Sequence, residues 1–391
     1  MIKFESERIK NLGTYIFQSI NDKKAKARKE GKDIIDLGMG NPDLKPPQPV
    51  IDKLIECAGS SKVHRYSASK GIKKLREEIC KWYNRKYDVQ LNSEEESVVC
   101  IGSKEGINHL ALAIFDNGDT ILIPNPTYPS HFYAVLITGA NIFEIPLSQE
   151  NSFIPDLGKI PISGICNPTT LILSYPNNPT TQVVEIDFFK EVVKFAKKHN
   201  LIVIHDFAYA EICFDGYKAP SFLQVEGAKD VGIEFYSLSK TYSMAGWRVG
   251  FAVGKKEIIS SLAKLKSYYD YGIFTPIQVA SITALKLDDK YARQTAEIYR
   301  KRRDTFIDGL NRIGWQTEKP KATMYVWAKI PDKFKEMGSM DFAMMLLEKC
   351  EVAVSPGIGF GNHGEGYVRI ALVENEQRLK QAIQNIKKIF K

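Results

Sequence analysis

Cysteine is scarce in this 391-residue chain: Cys57, Cys80, Cys100, Cys166, Cys213 and Cys350, with no C-x-x-C among them. That spacing argues against a disulfide framework and against thiolate metal or redox motifs, and the thiols read as reduced core residues of a cytoplasmic protein. The six histidines are scattered with no ligand-spaced pair, so no metal is expected. No apolar run approaches the ~18 residues of a membrane span, and the charged opening Met1-Ile-Lys-Phe-Glu-Ser-Glu has no apolar leader segment. No membrane association is expected. There is no internal repeat and no low-complexity tract. Nor does one sign of charge dominate: 54 Lys and Arg stand against 46 Asp and Glu, a net +8. The basic clusters at 23–32, 194–198 and 300–303 lie in helix-like segments, which reads as solvated helix faces rather than a nucleic-acid stripe. A basic balance is compatible with anionic substrates.

What is present is ordinary globular material, 44% hydrophobic and 26% charged, long enough for one large α/β domain and a smaller one. Strand-like runs at 98–101, 119–123, 169–174, 201–206, 231–238 and 249–253 are interleaved with helix-like stretches at 72–87, 107–115, 186–200 and 255–269. Four apolar residues in a row at 201–204 suit a central strand buried on both faces. Further on come a long helical region at about 277–313, strands at 324–330, 352–355 and 367–372, and an amphipathic closing helix at 374–390. The reading is an α/β chain with a mostly parallel central sheet in a large domain, plus a smaller α+β domain. Residues 1–45 would be an N-terminal arm and part of the small domain, with a helix opening at Leu12-Gly-Thr-Tyr15-Ile-Phe. Residues 46–280 would form the large domain, entered through the rigid connector Pro46-Pro-Gln-Pro49, and 281–391 the small one. Proline density at Pro124-Asn-Pro-Thr-Tyr128-Pro predicts irregular backbone there.

The most specific stretch is 237–251, Ser-Leu-Ser-Lys-Thr-Tyr-Ser-Met-Ala-Gly-Trp-Arg-Val-Gly-Phe. An average lysine is a solvated surface group. Lys240 instead has apolar, small and hydroxylic flanks, and an enclosed ammonium loses pKa and becomes a usable amine for carbonyl chemistry. Ser237, Ser239 and Arg248 around it describe a phosphate cradle. Gly102-Ser103-Lys104 joins a strand to a helix, where orphan N–H groups and the helix dipole attract anions. Asp206 ends the apolar strand at a position where open α/β sheets bind ligands, and such a carboxylate needs a cationic partner. Alone it reads as a helix cap; Asp206, Tyr209 and Lys240 together reverse that preference. Arg369, on a short strand face with Tyr367 and Ala371, suits bidentate carboxylate recognition. The glycine run Pro356-Gly-Ile-Gly-Phe-Gly is a loop rather than a nucleotide turn.

The stretch around Lys240 resembles the cofactor-lysine motif of the class I/II pyridoxal-phosphate aminotransferases, proteins of fold type I. Further matches follow in family order from Leu37 to Arg369: the loop Gly38-Met-Gly40-Asn-Pro-Asp43, the spacing Tyr66-x4-Gly71, Tyr128, Tyr175-Pro-Asn177-Asn178-Pro179-Thr180, and Asp206 with Tyr209. The resemblance implies that Lys240 carries pyridoxal 5′-phosphate as an imine, with Ser103, Lys104, Ser237, Ser239 and Arg248 around the phosphate. It further implies Tyr128 stacked on the ring, Asn178 and Tyr209 at the 3′-oxygen, and Asp206 at the ring nitrogen. Gly40 (through its N–H), Asn178 and Arg369 would meet the substrate, and Tyr66 would reach the partner's phosphate in a homodimer. A lysine at position 104 can alternatively read a distal substrate carboxylate. Relatives with glycine after the threonine differ from Thr181-Gln182 here, which alters the loop but not the asparagine. Ser237-Leu-Ser-Lys240 also fits the S-x-x-K signature of penicillin-binding proteins, yet no S-D-N follows.

The expected reaction is ping-pong transamination between an L-amino acid and a 2-oxo acid. His205-Asp-Phe-Ala-Tyr-Ala-Glu, residues 214–221 and residues 267–276 bring it closest to the glutamate–pyruvate (alanine) aminotransferases. Aspartate and LL-diaminopimelate aminotransferases are neighbouring readings, and a lyase or synthase of the same fold would share every cofactor residue. An aminotransferase-like transcription regulator would need a fused DNA-binding domain, for which the arm before Leu37 is expected to be too short. The aromatic run at 268–274 is expected to pack at the dimer contact or line the substrate entrance.

Overall fold

A computed structural model describes residues 4–10, 12 and 16–390; the expected opening of the first helix at Leu12-Gly-Thr-Tyr15 therefore falls largely outside the described residues. In chain order the strands are β1 (Ile35–Asp36), β2 (Ser97–Cys100), β3 (Thr120–Asn125), β4 (Asn141–Pro146), β5 (Pro168–Leu173), β6 (Ile202–Asp206), β7 (Gly232–Ser237), β8 (Gly250–Gly254), β9 (Tyr325–Lys329), β10 (Val352–Ala353), β11 (Ser355–Pro356) and β12 (Tyr367–Ala371).

The central sheet has the order β2-β8-β7-β6-β5-β3-β4. Only β8 runs against its neighbours, β2 and β7; the rest pair in parallel. Strand alternation feeds two cores, one on each face. Leu122, Leu171 and Val203 enter one, while Ile123, Ile172 and Ile204 enter the other. A crossover helix such as Ile186–His199 ends where its chemistry dictates: three basic residues fill the last turn and Asn200 adopts φ 55° at the cap. Because β3, β5, β6 and β7 run the same way, Asn125, Leu173, Asp206 and Ser237 come out at one edge. The reversed β8 starts there too, which brings Arg248 and Gly250 to that edge.

A third core collects β9, β12 and the helices Lys290–Arg312, Gly338–Cys350 and Glu376–Lys387. It also takes in Ile34, Ile35 and Leu37, because β1 pairs in parallel with β10. The backbone at Gly38–Gly40 is thereby held between this core and the sheet edge.

Four local expectations need correction. Proline at 124–129 does not abolish regular structure. β3 runs on through Pro124 to Asn125 after its pairing with β5 has ended at Leu122, so Pro124 needs no second ladder partner. Pro129 then opens a helix, Pro129–Leu136, where a missing N–H is harmless. The Pro46–Pro49 connector is likewise half absorbed into the helix Gln48–Ala58. The helical region at 277–313 is two helices, Thr275–Lys286 and Lys290–Arg312, parted at residues 287–289. Finally, the helix expected from residue 107 starts at Ser103, with Gly102 at φ +81° before it, so Ser103 and Lys104 lie in its first turn.

Candidate active site

The sheet edge, the Gly38–Gly40 backbone and the third core enclose a cavity of about 680 Å³. Of the residues singled out in the sequence, Gly40, Ser103, Lys104, Tyr128, Asn178 and Asp206 line it, as do Tyr209, Ser237, Ser239, Lys240, Arg248 and Arg369. Tyr66 does not. It is 85% exposed and rests on Tyr271, ring centroids 4.5 Å apart.

Lys240 sits in a single helical turn, Leu238–Thr241, capped by Ser237, whose Oγ accepts from the Ser239 N–H. Its Nζ donates to the Gly40 carbonyl at 2.7 Å. This contact uses the Gly40 carbonyl and is separate from the substrate contact expected of its N–H. Burial first, then the charges of Arg369 and Arg248, lower the Lys240 pKa to about 8.

Asp206 ends β6 with only 5% of its surface exposed. One carboxylate oxygen, Oδ2, meets His131 Nε2 at 3.0 Å, and His131 Nδ1 meets Thr127 Oγ1 at 3.0 Å. A carboxylate only accepts, so His131 donates through Nε2, while its Nδ1 is paired with the threonine hydroxyl. The other oxygen, Oδ1, has no partner among the described residues. A buried acceptor left open at a cavity wall fits a ligand that brings an N–H.

Arg369, on β12, is 7% exposed and its hydrogen bonds go to neutral groups. Nη1 donates to Asn178 Oδ1 at 2.8 Å and Nη2 to the Gly38 carbonyl at 3.0 Å. The guanidinium lies between two rings, 4.2 Å from the centroid of Tyr325 and 4.6 Å from that of Phe360. Nε is unpartnered among the described residues. A buried cation held this way, with no carboxylate in contact among the described residues, is built to receive an anion. Since Oδ1 of Asn178 is taken by Arg369, the Asn178 amide is the end left to donate. Tyr209 Oη donates to Tyr325 Oη at 3.0 Å; burial, and then Tyr325 beside it, push the Tyr209 pKa well above the usual phenol value, so it stays protonated.

The fourth wall is a turn under two close approaches. A Cβ added to Gly102 would sit 2.4 Å from Arg248 Nη2, and one added to Gly250 would sit 2.6 Å from the Ser103 nitrogen. Arg248 therefore hangs over the N-terminus of the helix Ser103–Ile114, an arrangement suited to phosphate. Lys104 is exposed at the cavity rim. Tyr128 caps the helix Pro129–Leu136 and meets His131 edge-on. The donor set as a whole fits a phosphorylated, carbonyl-bearing heteroaromatic: an anion nest, an amine, phenol and amide donors, and an open carboxylate oxygen.

Sequence reasoning missed His131 and Tyr325. Nothing around His131 distinguishes it from a packing histidine, and the helix that carries it begins at a proline. Tyr325 stands on a strand whose inward face, rather than its spacing to any motif, gives it a role. A Cβ on Gly40 would fall 1.9 Å from the Tyr325 hydroxyl, so the glycine there makes room for this ring.

Comparison with known proteins agrees with the geometry. Residues 32–386 match the family model for aminotransferase class I and II. The chain is 50% identical to the glutamate-pyruvate aminotransferase AlaC of Escherichia coli, over 98% of this chain and 93% of that one. It is 46% identical to an LL-diaminopimelate aminotransferase of Moorella thermoacetica, over 99% and 98%. Among solved structures, substrate-bound BacF from Bacillus subtilis superposes with a TM-score of 0.95 at 36% identity, covering 99% of this chain and 98% of that one. With a site of this composition on a fold shared along its full length, the chain belongs to the class I and II aminotransferases and is itself an aminotransferase.

Proposed function

We propose that this aminotransferase is of the glutamate–pyruvate type, exchanging the amino group between glutamate or alanine and their 2-oxo acids, with pyridoxal 5′-phosphate held on Lys240. The observation that carries the cofactor assignment is the pairing of Lys240, an amine with pKa about 8, with Asp206, a buried carboxylate that keeps one oxygen open, in the same cavity. When bound, the cofactor supplies a carbonyl for the amine and an electron sink for the bond broken at the substrate Cα.

The chain's residues then divide the work. Lys240 Nζ would be the nucleophile that holds the cofactor carbonyl and the base that moves the Cα proton. Asp206 would hold the proton on the ring nitrogen, and His131, itself bonded to Thr127, fixes the carboxylate's orientation. The Asn178 amide would donate to the ring oxygen, and so would the Tyr209 hydroxyl once its bond to Tyr325 is reversed and Tyr325 donates to it. Ser103, Ser237, Ser239 and Arg248, with the backbone of Lys104, hold the phosphate, and Tyr128 covers the ring. Arg369 fixes the substrate α-carboxylate so that the reacting Cα–H bond can be aligned. Tyr66, exposed and not among the residues that line its own cavity, fits a role in the cavity of a second copy in a homodimer. A cytoplasmic location accompanies this reading.

Support for the substrate comes from the 50% identity to AlaC. The 46% identity to an LL-diaminopimelate aminotransferase supports that activity as the second reading. Single-turnover half-reactions with alanine, glutamate, aspartate and LL-diaminopimelate test the two. Fast conversion with alanine and glutamate is expected; reaction with aspartate or LL-diaminopimelate alone would overturn the substrate assignment.

A further inference from the structure

A glutamate–pyruvate enzyme faces a physical difficulty. One cavity must welcome a distal carboxylate in glutamate and an apolar end in alanine. A fixed unpaired cation would serve the first and be left buried and uncompensated by the second. Among the charged residues that line the cavity, Lys240, Arg248, Arg369 and Asp206 already have work, and Lys104 stands exposed on the phosphate helix. Among the described residues that leaves one pair on the wall, Lys24 and Asp36.

Lys24 comes from the N-terminal helix Gln18–Lys29 and Asp36 from β1. Nζ lies 2.6 Å from Asp36 Oδ2, and the two side chains are 12% and 21% exposed. Asp36 is not dependent on the lysine alone. Its Oδ1 accepts from the Gly38 N–H at 3.2 Å, and Arg28 Nη2 stands 3.6 Å from Oδ2. The Gly38 carbonyl in turn accepts from Arg369 Nη2. A short hydrogen-bonded path thus ties the cation of Lys24 to the guanidinium assigned to the α-carboxylate.

We infer that Lys24 reads the distal carboxylate of a dicarboxylic substrate, glutamate and 2-oxoglutarate on the reading above, and that Asp36 neutralises it when the substrate has none. With alanine the ion pair stays closed and no charge is stranded. With glutamate, Nζ turns to the γ-carboxylate while Arg28 and the Gly38 N–H continue to satisfy Asp36. This inference rests on the glutamate–pyruvate proposal for its substrate, but the residue assignment can be tested apart from it.

The test is calorimetric binding of glutarate and valerate to the holoenzyme, since these five-carbon acids differ by one distal carboxylate in place of a methyl. The wild type should prefer glutarate; Lys24→Met should reduce that preference about ten- to hundredfold, and Lys24→Arg should restore most of it. Asp36→Asn should weaken valerate severalfold and spare glutarate. Lys104→Met should leave the ratio in place. An unchanged ratio in Lys24→Met, equal weakening of both acids (a lysine that only pins its helix), or collapse of the ratio in Lys104→Met would each overturn the inference. Kinetics separate it from the substrate reading. Lys24-dependent glutarate preference in an enzyme that transaminates only LL-diaminopimelate would uphold the carboxylate reader and remove the glutamate–pyruvate assignment.

Discussion

At Lys240 the local environment sets a pH window. The group falls from an ordinary 10.5 to about 8 in the fold, so between those values the unfolded chain binds more protons at this position than the folded one. Its contribution to the stability of the cofactor-free protein therefore rises with pH from about 8 to 10.5. The neutral amine accumulates over the lower part of the same range. The rate at which cofactor-free protein captures pyridoxal phosphate, followed by visible absorbance, should accordingly rise with a midpoint near 8; a midpoint near 10.5 would contradict the enclosed amine. Asp206→Asn keeps the shape but loses the charge, and turnover should fall about 10²–10³-fold, as when a preorganised electrostatic partner is removed. Steady-state kinetics on the cofactor-saturated variant measures this, and near-normal turnover would exclude the ring-nitrogen role. These two residues were legible because chemistry restricts what can flank them. His131 and Tyr325 were not: each acts through a contact that only the fold creates, 75 residues from Asp206 in one case and 116 from Tyr209 in the other.

Among the elements, β8 carries a tight constraint. Running against the rest of the sheet, it brings Gly250 onto the start of the helix Ser103–Ile114, where an added Cβ would lie 2.6 Å from the Ser103 nitrogen and 2.9 Å from the Tyr236 carbonyl. Backbone on both sides cannot yield, so Gly250→Ala should destabilise the protein by about 1–3 kcal/mol and weaken cofactor retention in dialysis. Loss of neither would mean the turn is looser than its geometry. Behind the sheet edge, fully buried Glu234 on β7 accepts from Tyr83, Ser221 and the Phe222 N–H and meets His205 at 2.8 Å. Glu234→Ala strands these partners and should lower unfolding free energy by about 3–5 kcal/mol, read by denaturant titration; a change under 1 kcal/mol would refute the network's weight. Apolar runs such as 201–204 announced the buried strands, since a strand covered on both faces has no polar positions to blur it. Prolines misled, because their effect depends on whether a neighbouring strand needs the missing N–H. The helix Gly338–Cys350 gave little signal, since it packs against strands and a helix at once.

For the molecule as a whole, one surface lacks an explanation within the chain. Tyr66, Tyr268, Tyr269, Tyr271 and Phe274 are all exposed, a concentration of aromatic area characteristic of an association face. If a second copy covers it and takes Tyr66 into its cavity, Tyr271→Asp should shift the protein toward monomer in sedimentation and loosen the cofactor in parallel. A wild-type monomer that retains cofactor would contradict this. The fold class was readable at this scale because strand–helix alternation is a whole-chain pattern, whereas an unpartnered aromatic face acquires meaning only in three dimensions. The central claim concerns one covalent partner, and one measurement addresses it most directly. Protein saturated with pyridoxal phosphate is reduced with borohydride, digested and mapped by mass spectrometry. The account predicts the pyridoxyl mass on the peptide containing Lys240 and its absence in Lys240→Ala; a label scattered over surface lysines, or fixed on another lysine, would contradict it.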